Sequence, residues 1–160
     1  SLSERDRVRL LRILDFAGSE LRDGASFALM TRERYVGDPA ARRNVERWAE
    51  NLVNAATDTA KILLAARNMP VPETYREVLR NLSVLEGFPA EAAEKLASYA
   101  RLRNLLAHEY LDIRWPEIRR FIDEHASPYA GLLSYARRAQ QEERDPNAST
   151  GDPPRPAPRL

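Results

Sequence analysis

Apolar residues along the chain recur at intervals of three and four rather than two, and runs of β-branched residues are nearly absent. That periodicity puts one apolar stripe on each segment and predicts an all-α protein. A first helix opens at Ser3, whose hydroxyl can cap it, and carries Val8, Leu11, Leu14 and Leu21, with a polar interruption at Asp15. Asp23-Gly24 ends or bends it. Asp38-Pro39, an N-cap followed by proline at the first helical position, starts a second helix. Val45, Trp48, Leu52, Ala55, Ala56, Thr59, Ile62 and Leu63 keep one face of it as far as about Asn68, a length on the order of 45 Å. Met69-Pro70-Val71-Pro72 stops it, because proline lacks the N–H and disfavours helix in the residue before it. A short helix opened by Glu73 or Thr74 runs through Leu85, and Gly87-Phe88-Pro89 breaks it. A fourth spans Ala90 to about His108. A fifth starts at Trp115-Pro116 and carries Ile118, Phe121, Ile122, Tyr129, Leu132, Leu133 and Tyr135, with a disturbance at Pro128. The architecture expected is an antiparallel bundle of four to five helices.

The pattern stops after Ala139. Residues 141–160 hold five of the 11 prolines and almost nothing to bury, so they read as a disordered tail behind a single domain at 1–140. A chain of 160 residues is long enough to bury its own core. It contains no cysteine, which excludes a disulfide framework, thiolate metal sites and cysteine nucleophiles. No run approaches the roughly 18 apolar residues of a membrane span, and Ser1 to Asp6 is too polar for a signal peptide. A cytoplasmic protein with no membrane partner is expected. Basic residues number 25 against 24 acidic ones, so a nucleic-acid contact must come from a local patch rather than from bulk charge. All but Lys61 and Lys95 of the basic residues are arginine, the side chain that grips phosphate with a planar fork.

Chemistry is sparse. The two histidines, His108 and His125, have no cysteine or tight carboxylate cluster beside them, so no metal site and no cofactor is expected. Gly-rich phosphate loops and nucleophile elbows are absent. One segment concentrates functional groups: Arg103-Asn104-Leu105-Leu106-Ala107-His108-Glu109-Tyr110, at the expected end of the fourth helix. Histidine titrates near neutrality and can take a proton from a hydroxyl. Arginine can hold a phosphodiester and stabilise the charge of a pentacoordinate state. Together they suffice for RNA cleavage without a metal, with the substrate's own 2′-OH as nucleophile. The bare Arg-x4-His spacing recurs at Arg120 and His125, so spacing alone does not choose between them, and a helix-terminal histidine bonded to backbone is the bland reading of either.

Arg-Asn-Leu-Leu-Ala-His-Glu-Tyr-Leu at 103–111 resembles the Arg-x4-His-x-Tyr signature of the HEPN superfamily, specifically its HepT-like toxins. Ala55 and Asp58 in the long helix, Pro72 to Glu77, Gly87-Phe88 and the Trp115 to Tyr135 helix extend the resemblance to roughly residues 5–139. Asn54 departs from it, standing where a glutamate is common. The resemblance implies a HEPN-like helical bundle and a metal-independent endoribonuclease, the toxin of a two-gene module, acting on RNA as a homodimer. Arg103 and His108 would be catalytic, Asn104 supporting. Tyr110 would be the residue to which a minimal nucleotidyltransferase antitoxin adds AMP, placing bulk and negative charge beside the groove for RNA phosphates. The alternatives are a non-catalytic HEPN module that binds RNA or nucleotide or partners a nucleotidyltransferase, and a plain helical interaction protein.

Helical geometry adds a constraint. Five residues along a helix turn about 500°, which leaves Arg103 and His108 about 140° apart around the axis. Asn104 and His108 share a side. One straight helix therefore cannot aim both catalytic groups at one phosphate. Either the helix loosens before His108, or two copies of the segment meet across a two-fold axis. Arg101 and Arg103 diverge by about 160°, so at most one of them faces a given phosphate. Between 99 and 120 five arginines (101, 103, 114, 119 and 120) stand against Glu109, Asp112 and Glu117, a mild tilt toward anions. Trp48 and Trp115, within apolar stripes, read as core or dimer interface rather than base-stacking platforms.

Overall fold

The computed structural model describes residues 1–144, and every regular element in them is helical. In chain order these are α1 (Glu4–Asp23), α2 (Arg32–Gly37), α3 (Pro39–Ala66), α4 (Tyr75–Arg80), α5 (Ala90–Tyr99), α6 (Leu102–His108), α7 (Leu111–Glu124) and α8 (Ala126–Arg144), with single 3-10 turns at Gly24–Phe27 and Asn81–Val84.

Local chemistry accounts for the starts of α1 to α4. The Ser3 hydroxyl accepts from the Asp6 N–H at 3.1 Å, and Asp38 accepts from Ala40 and Ala41, with Pro39 in the first turn. Thr74 caps α4 and Thr31 caps α2 in the same way. Burial then selects the faces. In α1 the inward stripe is Leu10, Leu14 and Ala17, continued by the half-buried Leu21, whereas Val8 and Leu11 are 42% and 47% exposed. A ladder of strict threes drifts around the helix; the mixed steps of four and three follow its 3.6-residue turn.

α3 is the axis of the bundle, packing against α1, α2 and α4 to α8. α1 lies antiparallel to it: the Trp48 indole donates to Glu20 O at 2.8 Å at one end, and the chain's first amine donates to Ala66 O at the other. α8 returns antiparallel to α1, with Gln140 donating to Arg7 O and the Leu2 N–H to Glu143. The core is continuous. Its aromatic centre is Phe27, Trp48, Tyr99, Phe121 and Tyr129, with ring centroids 4.8–5.8 Å apart.

Four elements differ from the pattern-based reading. The short helix expected through Leu85 is α-helical only to Arg80, where it tightens into the 3-10 turn Asn81–Val84. The fourth and fifth expected helices are each two, broken at Ala100-Arg101 and at His125. Pro116 lies inside α7, which starts upstream of it at Leu111, and Pro128 sits in the first turn of α8, where a missing N–H costs nothing. α2 was not anticipated. α8 continues to Arg144, so positions 141–144, assigned by composition to a tail, are helical; the rest of that stretch lies outside the described residues.

Candidate active site

α6 is seven residues long and turns Leu102, Leu105 and Leu106 into the core. That leaves Arg103, Asn104, Ala107 and His108 exposed. The helix ends because Glu109 is extended (φ −93, ψ 157), its N–H closing the last turn on Leu105 O at 3.0 Å. Tyr110, next in the chain, is 82% exposed.

The break before α6 lies upstream of Arg103, so Arg103 and His108 belong to one uninterrupted helix and their angular divergence stands. A groove of about 480 Å³ is lined by Arg101, Asn104, Leu105, His108, Glu109 and Ile113. Asn104 and His108 are thus brought together. Arg103 is not among the lining residues; its guanidinium carbon sits 4.2 Å from the centroid of the Tyr75 ring, over which the Lys61 ammonium also lies at 5.3 Å. The cation that shares the groove with His108 within one copy is Arg101. Its spacing, three before Asn104 and seven before His108, is the helical signal that points to it.

The surrounding arginines are less available than their number implies. Arg114 pairs with Glu46 at 3.2 Å, Arg120 with Glu117 at 3.0 Å, and Arg119 with Asp123. Among the described residues Arg101 and Arg103 make no ion pair.

The second Arg-x4-His match is structural. His125 is buried, its Nδ1 lies 2.9 Å from Phe121 O and 3.0 Å from Ile122 O, and its ring stands edge-on to Trp48. Burial lowers its pKa below the usual value. Trp48 is core, and Trp115 packs on Tyr35 with centroids 5.3 Å apart. Asn54 lines a different groove, between α1 and α3, with Arg12, Ile13, Phe16, Asn51, Ala55 and Asp58; its side-chain oxygen is buried without a hydrogen-bond partner among the described residues.

Residues 17–136 match the family described as ribonuclease HepT-like. The chain belongs to the HepT-like ribonuclease family. The matched region contains all of α2 to α7 and the whole Arg101–Tyr110 segment, so the groove belongs to the family's own part of the fold. No curated protein matches this HepT-like chain. No helix among its described residues is long and apolar enough to cross a membrane, and none of their His, Asp or Glu side chains gather in threes suited to a metal ion.

Proposed function

We propose that this HepT-like protein is a metal-independent endoribonuclease toxin whose active site forms where two copies of α6 face each other. The observation that carries the reading is the placement of His108: solvent-open, at a helix end, in a groove with Asn104 and a guanidinium. The imidazole takes the proton of a ribose 2′-OH. The freed oxygen attacks the adjacent phosphorus, the bond to the 5′ oxygen breaks, and that oxygen takes a proton from solvent water as it leaves, while the imidazole returns its own proton to solvent. The products are a 2′,3′-cyclic phosphate and a 5′-hydroxyl. Arginine holds the phosphate and stabilises the charge of the pentacoordinate state. Arg103 points away from its own copy's His108, so the second copy supplies the Arg103 that completes each site. Asn104, on the His108 side, orients the substrate.

Tyr110, with its ring in solvent, is the acceptor for AMP from a cognate nucleotidyltransferase antitoxin. The added bulk obstructs the groove beside His108, and the added phosphate repels the phosphates of an RNA strand.

The test is His108→Ala. RNA cleavage and growth inhibition are lost with the fold intact by circular dichroism, and cleavage by the unaltered protein persists in excess chelator. The divergence of Arg103 and His108 within one copy favours a second reading, a non-catalytic module that binds RNA or nucleotide. Under it the unaltered protein binds RNA without cutting it, and His108→Ala leaves binding in place.

A further inference from the structure

The turn that follows α6 is held by groups to which the catalytic reading gives no role. Arg114 closes on it from two sides. Its backbone N–H donates to Tyr110 O at 3.0 Å, and its Nε donates to Glu109 O at 2.7 Å. Its Nη1 donates to Glu46 Oε1 on α3 at 3.2 Å, and the hydroxyl of Tyr35 on α2 donates to that same oxygen at 2.6 Å. The relay is sheltered: the Arg114 and Glu46 side chains are 22% and 15% exposed, and Tyr35 is fully buried. Burial and the bond to Glu46 raise the Tyr35 hydroxyl above its ordinary pKa, so it remains a donor.

A helix of seven residues does not hold its own end. Its last carbonyls are orphans unless something donates to them, and Arg114 serves Glu109 O, one residue past the helix. Sheltered ion pairs are poor sources of net stability, because desolvation offsets the attraction, whereas they fix geometry well. What this one fixes is the pair of residues directly after His108, one of which, Glu109, lines the His108 groove. Tyr35 and Glu46 are distant in sequence from α6, which is why no local pattern reveals them.

We propose that Tyr35, Glu46 and Arg114 are positioning residues: they hold the Glu109-Tyr110 turn and so direct the His108 imidazole into its groove. The kinetic consequence rests on the ribonuclease reading; the structural consequence does not.

The chain has only two histidines, so imidazole NMR reports the site and an internal control at once. In Arg114→Lys, which cannot serve both Glu109 O and Glu46, the His108 resonance shifts and broadens while that of His125 stays in place. Exchange of the Glu109 amide accelerates about tenfold or more while that of Leu52, in the core, does not. The kcat for RNA cleavage falls about 10- to 100-fold with KM unchanged. Tyr35→Phe and Glu46→Gln, which preserve shape, give the same changes in smaller measure, and they decide the matter if the lysine variant fails to fold. An unmoved His108 resonance with wild-type exchange at Glu109 overturns the proposal. So does a lowered melting temperature with kcat unchanged well below it, which marks a merely structural role. If the unaltered protein cleaves no RNA, the ribonuclease reading falls, and the NMR and exchange measurements still decide this one.

Discussion

Arg103 and His108 share one seven-residue helix and leave it on different sides, the guanidinium resting 4.2 Å from the Tyr75 ring centroid and the imidazole opening into the groove of Arg101 and Asn104. The divergence is a property of the α-helix itself, since the chain breaks before Arg103 and not between the two residues. On the ribonuclease reading proposed above, the two residues are half-sites that pairing of subunits would reunite.

Arg101 is the cation on the His108 side, and it makes no ion pair among the described residues. Arg101→Gln is expected to weaken RNA binding more than it lowers kcat. The slope of log affinity against log salt, measured by fluorescence anisotropy on a cleavage-resistant oligonucleotide, should decrease by about one phosphate contact. An unchanged slope removes Arg101 from the RNA path.

Gly24 sits where α1 ends against the core. A Cβ there would lie 2.8 Å from Trp48 Cζ2 and 3.3 Å from His125 Nε2. Trp48 cannot retreat, being bonded to Glu20 O and packed on Phe27, Phe121 and His125. Gly24→Ala is expected to cost about 1–3 kcal/mol by denaturant titration. Gly131→Ala in α8, where an added Cβ meets nothing within 4 Å, should instead stabilise by about 0.5–1 kcal/mol.

His125 couples folding to pH. Burial lowers its pKa in the folded state from the usual 6.5. As pH falls below that value the unfolded chain takes up a proton that the folded chain refuses, so the unfolded state binds more protons and stability declines until the folded-state value is reached. Above the usual value His125 contributes no pH dependence. His125→Phe, which keeps an aromatic ring beside Trp48, should flatten the loss of melting temperature as pH falls below the usual 6.5. Parallel curves for the two proteins would contradict this.

Much of this was legible along the chain. The caps at Ser3 and Asp38-Pro39 and the stop at Met69 to Pro72 act locally and mark real helix limits, and Gly87 to Pro89 directly precedes the start of α5, although the helix before it ends earlier, at Arg80. Ala100-Arg101 carries no breaking residue; α5 packs mainly on α4 and α8 while α6 packs on α3, and those separate attachments part the two helices. The same holds at His125, whose ring is claimed by Trp48 and Phe121. α2 had a local signal in Thr31, whose hydroxyl accepts from the Arg34 N–H, but six residues offer too little periodicity to stand out. Within the candidate site, the concentration of functional groups from Arg103 to Tyr110 at a helix end and the divergence of Arg103 from His108 were legible; the exposure of those side chains is shown by the structure. The arginine that lines the groove with His108 within one copy did not follow from the signature, which names Arg103, and the Tyr35–Glu46–Arg114 relay depends on contacts between distant elements.

Mixing of two variants puts the proposed composite site to the most direct trial. Arg103→Ala and His108→Ala, both at exposed positions, should each lower kcat about 100-fold or more as pure dimers while leaving melting temperature nearly unchanged. Unfolding and refolding the two variants together yields heterodimers in which one groove has an intact Arg103 from one subunit and an intact His108 from the other. Such mixtures are expected to recover ribonuclease activity, up to about half that of the unaltered protein per heterodimer. Mixtures as inactive as the separate variants would mean that each subunit's own Arg103 and His108 must act together, which contradicts a site shared between subunits.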